Sequence, residues 1–148
     1  MTPLSTHPPH ARHATAPLTF AGRAGLGLAT VIGVFQIVNF ARAFGDPVGF
    51  SDYMGLAVGD GASGFVLVYG LRSLFIGALV LACVWRREVR LLALMAALAV
   101  VMPAGDAWLA HDAGAPGATV ARHAGIAIYL LLTAALLGVG ARGRTAAR

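Results

Sequence analysis

Arg72 stands in the stretch VLVYGLRSLFIG, residues 66–77, whose other members suit lipid or a dry interior. A charge deep in hydrocarbon costs from about 2.5 to 3.5 kcal/mol upward, so such residues have partners, face water or serve a site. Few other side chains carry chemistry at a matching depth. Asp106 offers a carboxylate, His123 an imidazole, and Tyr69 a phenol one turn from Arg72 on a shared helix face. Gln36, Asn39 and Arg42 recur every third residue and give the first apolar run a polar stripe that should turn away from lipid. These side chains form a candidate polar cluster, ligand-binding or structural. It suits recognition of a polar or anionic group, and only Asp106 and His123 qualify as acid or base for proton transfer.

Positioning such a cluster requires a membrane fold. The 148 residues are 58% apolar and only 11% charged, whereas a soluble domain has about a quarter of its residues charged. Crossing ~30 Å of hydrocarbon takes ~20 apolar residues. Four runs meet that length, at 24–44, 64–84, 90–110 and 121–140. The expectation is an all-α, polytopic, four-transmembrane-helix bundle over 20–141, with a disordered tail at 1–19 and a basic tail at 142–148.

The net charge of +5 is arranged as a topology signal. Of eleven arginines, eight (Arg12, Arg23, Arg86, Arg87, Arg90, Arg142, Arg144 and Arg148) fall on one face, while Asp46, Asp52, Asp60 and Asp112 collect on the other. The arginine-rich face is expected to be cytoplasmic, with both termini on it, in a plasma or inner cell membrane. That distribution excludes a nucleic-acid surface. Ala41 and Ala43 resemble a signal-peptide cleavage site, but the preceding run is longer than the usual ~7 to 15 residue core and contains Gln36 and Asn39, so a retained span is expected.

The remaining features narrow the function classes. His7, His10 and His13 lie in a Pro- and Thr-rich tail without apolar periodicity and read as polar filler. Cys83 is alone, which excludes an internal disulfide, and it sits at the opposite end of its span from His111 and His123, which disfavours a Cys/His nucleophile. No HExxH, P-loop or strand-linked GxGxxG is present. A metal set of Asp106, His111 and His123 would draw on loosely placed segments. Neither cofactor nor resident metal is expected. Phe50, Tyr53, Met54 and Ala57 follow helical spacing and predict a short amphipathic helix at the outer interface. Ala29 with Gly33, and Ser73 with Gly77, are small-residue pairs that let helices approach.

The second and third spans run in opposite directions. Counting 1.5 Å per residue, Arg72 lies roughly 12 Å below the outer surface and Asp106 roughly 6 to 8 Å. Side chains tilt toward a helix N-terminus, so the two lean toward a common level and are expected to pair. Pro103, three residues before Asp106, is expected to kink the third span. Four readings compete. The first is a bundle binding a small lipophilic or anionic ligand, ahead of a small transporter or accessory subunit. A membrane enzyme using Asp106 or His123, and a pair that only fixes helix register, are the others. Expected partners are the bilayer, such a ligand and, for a transporter with one four-helix repeat, a second copy in a homodimer.

The segments VYGLRSLFIGALVLA, MPAGDAWLAHDAG and RHAGIAIYLLLTAALL resemble the small four-span integral membrane proteins grouped as domain of unknown function 4267, with a looser likeness to DoxX-like proteins. The likeness covers roughly 24–140 and rests on Tyr69, Gly70, Arg72, Gly77, Asp106, His123 and Pro47. In relatives an acidic residue commonly follows the arginine; here Ser73 stands there, which weakens any mechanism needing two carboxylates beside it. The resemblance implies a four-helix fold and names no activity.

Overall fold

The computed structural model describes residues 18–55 and 63–146, with side chains described as far as Gly143. His7, His10, His13, Ala57, Asp60 and Arg148 lie outside the described residues. The described residues form helices α1 (Phe20–Gly45), α2 (Pro47–Met54), α3 (Ser63–Trp85), α4 (Val89–Ala99), α5 (Val101–Asp112) and α6 (Gly117–Ala146). Four segments are long and apolar enough to cross a membrane: α1, α3, α4 with α5, and Gly117–Gly143 of α6. The protein is an all-α, multi-pass membrane protein. Large apolar side chains such as Val34, Phe75, Leu98 and Ile128 point outward, as lipid-facing surfaces do.

Two boundaries extend beyond those read from the sequence. Thr19 caps α1, its Oγ1 accepting from the Gly22 N–H at 3.2 Å, and Leu18 packs against the core. At the other end α6 continues to Ala146, so the basic segment after 141 begins as helix.

The third crossing is two helices because of Pro103. Its ring clashes with the carbonyl four residues back, that of Ala99, and it has no N–H to donate there. Helix α4 ends at Ala99 and α5 begins at Val101. The turn between α3 and α4 closes with the Glu88 N–H donating to the Cys83 carbonyl at 2.9 Å and the Arg87 N–H to Val84 at 3.0 Å. That is a Schellman pattern, and Arg87 holds the left-handed position usually given to glycine, φ 56°.

Helix α1 is the centre of the bundle. It packs on α3 along one side and on α6 along another, and α6 packs in turn on α4 and α5. The closest approaches use glycine. A Cβ at Gly77 would lie 2.9 Å from the Gly33 carbonyl oxygen, and one at Gly140 would lie 2.5 Å from the Gly22 Cα. Near the α3–α4 turn, Val80, Cys83, Val89 and Leu92 share one core. Toward the other end α3 and α5 make almost no contact, and the ring of helices is open there.

Helix α2 lies across that end. Pro47 at its first turn supplies a fixed φ, and Asp46 Oδ1 accepts from the Gly49 N–H at 2.9 Å. Phe50, Tyr53 and Met54 turn toward Ala43, Val66 and Tyr69, the face expected from their spacing. Gly55 ends the helix at φ 80°, where a Cβ would lie 2.7 Å from Thr119. Only glycine fits both the conformation and the approach.

Candidate functional site

A cavity of about 660 Å³ runs inside the bundle. Toward the α2 end its walls are polar, with Gln36 and Asn39 from α1, Tyr53 from α2, Tyr69, Arg72 and Ser73 from α3, Asp106 from α5, and Arg122 and His123 from α6. Deeper in the bundle the lining is Ala29, Val80, Leu92, Ala96, Leu130 and Thr133. Thr133 adds little polarity, because its hydroxyl donates back to the Tyr129 carbonyl at 2.8 Å. The space therefore has a polar head and an apolar body.

Of the side chains expected to cluster, Gln36, Asn39, Tyr69, Arg72, Asp106 and His123 line this one cavity. Arg42 does not. It is exposed, borders a separate groove with Asp46 and Phe50, and places its guanidinium carbon 4.6 Å from the centre of the Tyr53 ring.

The expected Arg72–Asp106 pair is not formed. An ion pair does form between Arg86 and Glu88, at 3.9 Å on the surface. The Arg72 side chain makes no hydrogen bond or ion pair with any described residue. The reason lies in the packing: the two residues belong to α3 and α5, the helices between which the bundle is open. Depth along the helices matched, but lateral separation did not follow from depth. Asp106 instead lines the cavity with Tyr69 and His123.

His123 is 2% exposed. Its Nε2 lies 3.0 Å from the Met54 carbonyl oxygen. A carbonyl only accepts, so Nε2 carries the proton and donates. The preceding residue does a parallel job: the Arg122 guanidinium donates to the Tyr53 carbonyl and stacks 3.7 Å from the Tyr53 ring centre. Consecutive residues of α6 thus satisfy the last two carbonyls of α2, where helix C-termini leave unpaired acceptors and negative charge. This fastens α2 over the polar end of the cavity. Arg122 is absent from the cluster read from the sequence. Its signal is position: an arginine beside His123 at the start of a span, on the arginine-poor face.

Three buried polar atoms in this region have no hydrogen-bond partner: Gln36 Oε1, Asn39 Oδ1 and Arg122 Nε. Asn39 is only 3% exposed. Buried polar groups are normally paired, and each exception calls for an explanation. Among the described residues no three His, Cys, Asp or Glu side chains gather to hold a metal; His111 is exposed in the last turn of α5 and does not line the cavity.

Residues 24–137 match the family described as Domain of unknown function (DUF4267). The chain belongs to this family. No curated protein and no solved structure matches it. The DUF4267 match takes in every residue named above as lining the cavity, so the cavity belongs to the family domain rather than to an appended segment.

Proposed function

We propose that this DUF4267 protein binds one small amphiphilic molecule inside its helix bundle. The polar part of the ligand would sit beneath α2 and its apolar part against Ala96, Leu92 and Val80. Entry would be sideways from the lipid, through the gap between α3 and α5. With the arginine-rich end cytoplasmic, that gap opens to the outer half of the membrane. The observation that carries the reading is Asn39, almost wholly buried on the cavity wall with an unpartnered amide atom. An apolar cavity with a few convergent polar groups is the usual form of a small-molecule site, and its volume lies within the range of about 300–1,000 Å³ typical of them.

The test uses protein purified from membranes, delipidated and incubated with hexadecanol. Native mass spectrometry should show a one-to-one adduct. Ala96→Phe, which fills the apolar body of the cavity, should abolish it while leaving the helical circular dichroism unchanged. Absence of an adduct, or an adduct that persists in Ala96→Phe, would overturn the proposal.

A further inference from the structure

The charges at the polar end constrain the head of the ligand. Arg72 and Arg122 line it, and Asp106 is the one carboxylate among the described lining residues, which leaves an excess of positive charge. Neither arginine is balanced by an ion pair. Arg72 has no partner among the described residues, while Arg122 uses one terminal nitrogen on the Tyr53 carbonyl and leaves its Nε–H buried and unmet. An uncompensated charge in a low-dielectric site is costly, and a guanidinium fork is suited to planar oxygen acids. From this excess we infer that the ligand is a single-chain lipid with a monoanionic oxygen-acid head, which is held by the Arg72 and Arg122 guanidinium groups.

The inference rests on the binding reading above and deepens it. Asn39 fits in either orientation. Turned over, its amide presents NH2 to the oxyanion; as it stands, its oxygen accepts from a hydroxyl carried by the monoanionic head. A head with two negative charges is disfavoured, because Asp106 faces the same space. A neutral head leaves both guanidinium groups unmatched.

The experiment compares hexadecanol, palmitate and palmitoyl lysophosphatidylglycerol, whose phosphodiester is a monoanion, on the purified full-length protein in neutral nanodiscs. Exchanging a neutral head for one that makes a charge-assisted hydrogen bond should tighten binding by about tenfold or more. A preference for palmitate identifies a carboxylate source and a preference for lysophosphatidylglycerol a phosphate source; either supports the inference. Arg122→Gln and Arg72→Gln should erase the preference while hexadecanol still binds. The ratio of anionic to neutral affinity is the readout, so a general loosening of α2 in Arg122→Gln leaves it interpretable. If Arg122→Gln fails to fold, the exposed Arg72→Gln carries the test. Equal binding of all three lipids overturns this inference and leaves the binding proposal standing. Binding of none overturns both.

Discussion

Arg72 and Asp106 line one cavity from helices that hardly touch, and this decides how strongly they act on each other. A buried pair would show a coupling energy in a double-mutant cycle. Groups without a shared contact add to within about 0.3–0.5 kcal/mol. The expectation is therefore that Arg72→Ala, Asp106→Ala and the double variant give additive changes in unfolding free energy in detergent. A coupling well above that range would restore the ion pair and remove the open side of the bundle. The sequence displays the polar residues and their depth, since depth follows from helical rise. It does not display which of them meet. Arg122 makes the point most clearly: its hydrogen-bond partner, the Tyr53 carbonyl, lies 69 positions away, and no local spacing encodes that distance.

The helices themselves are far more legible, because each is specified by its own run of residues. Length and apolarity mark the four crossings, Pro103 marks the break in the third, and the spacing of Phe50, Tyr53 and Met54 marks α2. Packing partners are partly legible. The pairs Ala29 with Gly33 and Ser73 with Gly77 advertise a close contact, and these four residues are buried on α1 and α3. The contact of Gly22 with Gly140 has no such signature, since neither glycine has a small residue four positions away. It is nevertheless the tightest approach. A methyl group at Gly140 would press on Gly22 backbone rather than on a movable side chain, so Gly140→Ala should destabilise by about 1–3 kcal/mol, the usual cost of overpacking. Gly138→Ala is the control, two residues away, where a Cβ meets nothing within 4 Å. There the better helix propensity of alanine should leave stability unchanged or raise it by up to about 1 kcal/mol. Equal effects of the two changes would show that α1 and α6 do not cross at Gly22.

For the molecule as a whole, the proposal that the cavity opens to the outer half of the membrane depends on which way the bundle is inserted. Orientation is set by arginines flanking short loops. At the α3–α4 end these are Arg23, Arg86, Arg87, Arg90 and Arg142, with Arg42 and Arg122 at the α2 end. The native thiol is a poor reporter, since Cys83 is buried, and a Cys83→Ala background removes it. In that background Asp52→Cys on exposed α2 should react with a membrane-impermeant maleimide applied to intact cells. Glu88→Cys, in the turn between α3 and α4, should react only after the membrane is permeabilised. Choosing Glu88 rather than a neighbouring arginine keeps the orientation signal intact. Reaction of Glu88→Cys alone in intact cells would invert the protein and turn the gap between α3 and α5 toward the inner leaflet. The same cavity would then draw its ligand from cytoplasmic-side lipid, so this measurement fixes which leaflet supplies the molecule that Asn39 and Arg122 are proposed to hold.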